Sequence, residues 1–328
     1  MRLRTGIIGV GKHGQRYAKH AVEDVDEIEL VAVARRDAAR GREVAARFGC
    51  ELAADARALA DRADLDLLIV AAAPALISEV LPIAAARGTR LLIEKPVALD
   101  LATGIQLSAT VARTGVYCTA GQTLRLNTVV RELVARVDEL GRLDSMIFSQ
   151  RFPPQLDLSW LDDPAQSGGG NVLHTGVHCF DLCRVLSCRE PVSVICVGRS
   201  VYTKRTEDLF SASLALAGGL DATVACSRTT RSRNGLIEIT GEKGQLVGDH
   251  VLNTLYFIGE SGRVDVPLGP PRHTVLEMLR TVVADCRADR APSIPYRDGL
   301  AAVAIADACY RSMGSDGRER VVMPPAGP

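Results

Sequence analysis

Residues 3–14 read Leu3-Arg4-Thr5-Gly6-Ile7-Ile8-Gly9-Val10-Gly11-Lys12-His13-Gly14, and this stretch decides the fold. An apolar, strand-like run at 4–9 ends in the spacing GxGxxG, and an amphipathic segment follows at 11–23. In that position the glycines allow a tight turn and a close approach of the backbone to a pyrophosphate at the helix N-terminus. The order strand, glycine loop, helix predicts a dinucleotide held by Gly9, Gly11, Lys12, His13 and Gly14, on the first unit of a doubly wound parallel sheet.

Outward from the loop, the pattern repeats. Strand candidates at 29–35, 67–72, 90–94 and 116–119 alternate with helix candidates at 38–48, 75–87 and 101–113. Right-handed crossovers between such units give an N-terminal Rossmann sheet. About 20 residues beyond the last glycine, an acidic residue would be expected to hold the adenosine ribose. Arg35 and Arg36 stand there instead. A guanidinium pairs with a 2′-phosphate where a carboxylate repels it, so NADP is preferred over NAD. The competing reading makes both arginines solvated residues opening a loop, with Asp37 capping the next helix.

After residue 120 the rhythm changes to a helix near 126–139, a strand at 145–151, and a loop containing Pro153, Pro154 and three glycines at 168–170. A helix at 171–186 follows, then β-type runs near 191–200, 209–216, 220–228, 235–241, 244–248 and 251–258, and two last helices at 274–288 and 298–313. Successive strands with short glycine turns predict a second α/β domain with a mostly antiparallel sheet. The division expected is 1–120 and 121–328, with the last helices free to pack back on the first domain.

Composition narrows the partners. A chain of 328 residues suits two domains, and its 39 basic and 39 acidic residues create no field favouring nucleic acid or an anionic membrane, so a small molecule is the expected partner. No apolar run approaches the roughly 20 residues of a membrane span, and the N-terminus reads as a strand, not a signal peptide, which points to the cytoplasm. Nine scattered cysteines, odd in number and without a CxxC pair, read as reduced thiols, mostly in apolar stretches.

The fourth strand candidate ends Leu91-Leu92-Ile93-Glu94-Lys95-Pro96, and the third ends at Ala71-Ala72-Ala73-Pro74. Together with the glycine loop, Gly121-Gln122-Thr123-Leu124-Arg125-Leu126-Asn127, the segment 168–178 (GGGNVLHTGVH) and Tyr296-Arg297-Asp298-Gly299-Leu300, these motifs resemble the glucose-fructose oxidoreductase, inositol dehydrogenase and rhizopine-catabolism (Gfo/Idh/MocA) family over nearly the whole length. The resemblance implies a Rossmann domain plus an α/β domain with a large open sheet that forms homodimer or homotetramer interfaces. It also implies a cofactor in contact with Ala73, Pro74, Glu94, Lys95 and Gln122, and metal-free chemistry in which Lys95 hydrogen-bonds the substrate oxygen and His178 moves the proton. Where the family usually has aspartate, four residues before the histidine, this chain has His174, which puts the usual acid/base arrangement in doubt. Ser78 and Thr128 are further departures, from a usual histidine and a usual proline.

At about 100° per residue, Asn171, His174, His178 and Asp181 would share one helix face, a polar stripe beside a glycine turn. His174 and His178 also have a two-ligand metal spacing, but no third ligand is apparent, and Cys179 and Cys183 point away, as core residues would. Arg125, Asn127, Asn171, Trp160 and the loop 150–160 are the candidates for substrate contact, since they flank the cleft expected between domains. The sequence therefore points to an NAD(P)-dependent oxidoreductase acting on a secondary alcohol or carbonyl of a sugar or polyol, with catalytic Lys95, His178 and His174. The alternative is a catalytically silent NADP-binding regulatory protein of the same fold.

Overall fold

The computed structural model describes residues 2–154 and 159–325. The chain divides into one unit of Met1–Thr123, His273–Leu300 and Pro325–Pro328, and another of Leu124–Arg272 and Ala301–Pro324.

In the first unit, β1 (Leu3–Ile8), α1 (Gly14–Glu23), β2 (Ile28–Ala34), α2 (Ala38–Phe48), β3 (Glu51–Leu52), α3 (Ala56–Ala60), β4 (Leu67–Val70), α4 (Pro74–Ala86), β5 (Arg90–Glu94), α5 (Leu101–Thr114) and β6 (Cys118–Gly121) alternate. The six strands are parallel in the order β3-β2-β1-β4-β5-β6. Helices on both faces exclude water from the central strands, so Leu67, Leu68, Ile69 and Val70 are all fully buried and read as one apolar run. Strand order reverses between β1 and β4, where Ala71 N donates to Ile8 O at 2.8 Å. A crevice outside the carboxyl ends of strands at such a reversal is where doubly wound sheets bind ligands.

Sequence periodicity locates these elements well and misses only β3 and α3, which are two and five residues long. The helix expected from residue 11 begins at Gly14, because 11–13 form a turn. Asp37 caps α2 by accepting from Arg40 N at 3.1 Å, and Gly49 ends it at φ +67°. A segment from late in the chain completes this unit. Ala120 N and Thr119 Oγ1 both donate to Ile294 O, at 2.9 and 2.8 Å, covering the β6 edge. The helix α9, Thr274–Arg287, packs on α1.

The second unit contains α6 (Thr128–Arg136), β7 (Leu143–Arg151), α7 (Pro164–Ser167), α8 (Val177–Ser187), β8 (Pro191–Arg199), β9 (Leu209–Leu216), β10 (Leu220–Ser227), β11 (Asn234–Gly241), β12 (Gly244–Asp249), β13 (Thr254–Gly259) and β14 (Gly262–Asp265). It also takes most of α10 (Tyr296–Ser315) and the two-residue β15 (Glu319–Arg320). Nine strands run in the order β14-β13-β12-β11-β7-β10-β9-β8-β15, with only β7 and β10 parallel. The sheet is mixed and mostly antiparallel, with one face covered by helices, so β10 alternates buried and exposed residues.

Two expectations needed correction here. The strand expected at 251–258 starts at Thr254, because Asp249 Oδ1 captures the amides of Val251 and Leu252 at 2.8 and 3.0 Å and Asn253 turns the chain at φ +55°. The uniform helix expected at 171–186 instead opens with a π-helical turn, Val172–Gly176, before α8 begins. A wider turn breaks the 100° progression, so the single polar stripe drawn from Asn171 to Asp181 does not hold.

Candidate active site: the glycine loop and the histidine helix

Each glycine of the first loop has a separate reason to be glycine. Gly9 sits at φ +90°, and a Cβ there would lie 2.4 Å from Ala71 O. A Cβ on Gly14 would lie 2.2 Å from Gly9 O, so the third glycine permits the close crossing of α1 over β1. A Cβ on Gly11 would meet no protein atom within 4 Å, which leaves the approach of a bound group as the reason for glycine there. Among the described residues no side chain caps α1; of its first amides, Gln15 N and Arg16 N already donate to Gly11 O and His13 O, both at 2.9 Å.

Arg35, directly after β2, is half-buried and donates from Nη1 to Val10 O at 2.6 Å, tying the loop to the next strand. Arg36 is exposed. Across the sheet, Ala73 precedes α4 and Pro74 occupies its first turn. Gln122, just past β6, is 1% exposed, and among the described residues neither its Nε2 nor its Oε1 has a hydrogen-bond partner. A buried amide without partners is costly, so Gln122 fits a polar group supplied by a ligand. The open side of Gly11 and the orphaned Gln122 amide together fit a dinucleotide.

Glu94, at the end of β5, is the electrostatic centre of this edge. It is 5% exposed and accepts from Tyr17 Oη at 2.6 Å, His13 Nε2 at 2.9 Å and Lys95 N at 3.0 Å. Burial works to raise its pKa, but His13, Lys95 and the Tyr17 hydroxyl outweigh it and hold the carboxyl below its ordinary value. The same contact, with burial, pushes the Tyr17 phenol well up. Lys95 itself is half-buried and its bond to Pro96 is cis. Sequence reading did not find Tyr17; its place one turn after Gly14 was the available signal.

In the second unit, the triple glycine is explained by packing. A Cβ on Gly169 would lie 2.0 Å from Tyr310 Oη, and one on Gly170 would lie 2.0 Å from Glu207 O. Gly168 ends α7 at φ +77°. Glu207 accepts from Gly170 N, Val172 N and Tyr310 Oη at 3.2, 2.8 and 3.1 Å, and burial still raises its pKa. Neither Glu207 nor Tyr310 carried a sequence signal, since both join the site only through tertiary packing.

Among residues 171–183, His178 alone is not buried. His174 is 4% exposed, with Nε2 3.0 Å from Ser167 O and its ring edge-on to Trp160 at 5.4 Å. Cys179 and Cys183 are fully buried, and Cys179 lies 3.8 Å from Cys226. Asn171 is 1% exposed, with neither amide atom partnered among the described residues. Of the other expected substrate contacts, Arg125 forms a bidentate pair with Asp181, through Nε at 2.7 Å and Nη2. Asn127 caps α6 through Val129 N at 2.9 Å. Residues 155–158 of the loop expected to contact substrate lie outside the described residues.

A cavity of about 460 Å³ lies within this unit, lined by Asn171, His174, Thr203, Glu207 and Arg228 among others. Arg228, half-buried, donates from Nε to Thr175 Oγ1 at 3.1 Å. Among the described residues no group of three or more His, Cys, Asp or Glu side chains is arranged to hold a metal, and no helix is long and apolar enough to cross a membrane.

Residues 3–122 match the family described as "Oxidoreductase family, NAD-binding Rossmann fold", and residues 129–247 match the "GFO/IDH/MocA C-terminal domain". The chain is 26% identical to the inositol 2-dehydrogenase of Rhizobium meliloti over 95% of its own length and 97% of that protein. It is 25% identical to the D-apiose dehydrogenase of Paraburkholderia graminis, covering 95% and 88%. Among solved structures, levoglucosan dehydrogenase in complex with NADH superposes with a TM-score of 0.91 at 20% identity, covering 98% of this chain and all of that one. With a glycine loop built for a dinucleotide, both family domains in order and sugar or polyol dehydrogenases as relatives, the chain belongs to the Gfo/Idh/MocA family of oxidoreductases.

Proposed function

We propose that the protein is an NAD(P)-dependent dehydrogenase or reductase of a secondary alcohol or carbonyl in a sugar, polyol or sugar derivative, with NADP the preferred cofactor. The observation that carries this reading is Lys95 at the carboxyl end of β5, on the sheet edge that also bears the uncapped glycine loop. A bound nicotinamide supplies or accepts the hydride. Gly9, Gly11, Lys12, His13 and Gly14 hold the pyrophosphate, and Ala73, Pro74 and Gln122 line the rest of the cofactor site. Arg35 and Arg36 favour a 2′-phosphate.

Glu94, fixed by Tyr17 and His13, holds the Lys95 amide. The Lys95 ammonium donates a hydrogen bond to the reacting oxygen, where charge builds as hydride moves. His178 takes the hydroxyl proton during oxidation and returns it during reduction. His174, bonded to Ser167 O, cannot supply the negative charge that a carboxylate there would lend His178. That substitution motivates the second reading, a silent NADP-binding regulator. Turnover of a polyol panel with either cofactor, lost in Lys95→Ala, supports the enzyme; cofactor binding without turnover of any member supports the regulator.

The outward face of the large sheet, with Ile147, Ile195 and Val197 exposed, is proposed to seat a second copy of the chain. Light scattering that finds only monomer at micromolar concentration refutes it.

A further inference from the structure

We propose that the cavity of the second unit receives a carboxylate carried by the substrate, with the Arg228 guanidinium as its counter-charge and the Asn171 amide beside it. This deepens the dehydrogenase reading and rests on it: the substrate class becomes polyhydroxylated acids such as hexuronates and aldonates. The carboxylate binds unchanged, while a secondary alcohol elsewhere on the molecule gives its hydride to the oxidised dinucleotide and its proton to the base.

Four carboxylates line the cavity, and each is occupied. Asp162 accepts the amides of Lys204, Arg205 and Thr206. Asp208 accepts those of Val201, Tyr202 and Thr203. Asp163 pairs with Arg205 at 3.2 Å, and Glu207 serves two amides and the Tyr310 hydroxyl. Arg228 makes no direct ion pair among the described residues; Glu207 acts on its charge only through space, its oxygens being held by the two amides and the Tyr310 hydroxyl. The one side-chain bond of Arg228 among the described residues is from Nε to the neutral Thr175 hydroxyl, so neither terminal nitrogen is engaged by a described residue, and the side chain lines the cavity.

Burial pushes the Arg228 pKa down to about 10, against the opposing pull of Cys226 and Glu207, so the group is still charged at neutral pH. A carboxylate answers a guanidinium fork with two parallel charge-assisted bonds, whereas a hydroxyl brings no charge. Asn171 is a second, independent pointer. It is 1% exposed, lines the same cavity and leaves both its donor and its acceptor unmet among the described residues, as a residue would that reads a hydroxyl next to the acid. The volume, about 460 Å³, falls in the range of small-molecule pockets.

The test is calorimetric titration of the full chain, with and without NADH, using matched pairs: glucuronate and glucose, galacturonate and galactose, gluconate and glucitol. In at least one pair the acid is expected to bind ten-fold or more tightly than its neutral partner, by a margin that shrinks as salt rises. Arg228→Gln should erase the margin, and Arg228→Lys should keep part of it. The proposal is overturned if no acid exceeds its partner, if a folded Arg228→Gln chain keeps the preference, or if acetate or inorganic phosphate binds as tightly as the sugar acids. Should Arg228→Gln fail to fold, Arg228→Lys and the salt dependence of the unaltered chain decide. NADPH and NADH binding are followed separately by fluorescence: either cofactor bound without acid preference sinks this proposal alone, and acid preference with neither cofactor bound sinks the dehydrogenase reading instead.

Discussion

Replacing Gly11 by alanine separates the folding role of the glycine loop from its binding role. The added Cβ meets no protein atom within 4 Å, so the fold should tolerate it. Stability should change by no more than about 0.4–1 kcal/mol, and in the favourable direction, because alanine restricts the unfolded chain. A pyrophosphate approaching that backbone would meet the methyl group and lose one charge-assisted hydrogen bond, worth about 1.5–3 kcal/mol. At 1.4 kcal/mol per factor of ten, NADH and NADPH affinity should fall roughly ten- to hundred-fold. Gly9→Ala is the control: with φ at +90° and a contact of 2.4 Å to Ala71 O, it should lower stability by more than about 1 kcal/mol. Fluorescence titration and urea unfolding on the same samples read both effects. A Gly11→Ala chain that melts normally and binds NADH within two-fold of the parent would refute the assignment of this loop to the pyrophosphate.

Tyr17→Phe removes a donor 2.6 Å from the buried Glu94 carboxylate and should cost about 2 kcal/mol in urea unfolding. Glu94 has a folded pKa below its unfolded one, so its stabilisation is present above the unfolded carboxylate value and is lost as pH falls through the folded one. The phenylalanine variant should begin to lose stability at higher pH, and an unchanged acid profile counts against the network. Burial lowers the His250 pKa from 6.5 to about 4, next to Gln150 Nε2 at 3.2 Å. Stability should therefore fall by about 3 kcal/mol as pH drops through that window, and His250→Gln should flatten the slope; a parallel slope in both proteins refutes the half-buried neutral imidazole. Arg35→Asp should weaken NADPH by about 1–3 kcal/mol and NADH less, and equal losses would assign Arg35 to holding Val10 O and not to the 2′-phosphate.

Much of the fold was legible because its signals are local. Apolar runs such as Leu67–Val70, the GxGxxG spacing and the cap at Asp37 each declare themselves within a few residues, and the parallel sheet follows from their order. The shortest strands, β3 and β15, have no room for a period and are made by their neighbours alone. Glu94, Lys95 and Asn171 could be singled out by motif, but their partners could not. Tyr17 is 77 residues from Glu94, and Tyr310 is 140 from Gly170.

What the sequence determined by itself was the dinucleotide loop and the βα alternation behind it, since turn geometry and hydrophobic period are properties of consecutive residues. Tertiary structure alone decided which polar groups are satisfied. It spent Arg125 on Asp181 and Asn127 on a helix cap, interrupted the histidine helix with a π turn, and set Arg228 on a cavity wall with no direct ion pair among the described residues. Hydrogen-bond partners and burial depend on segments distant in sequence, and no local pattern encodes them.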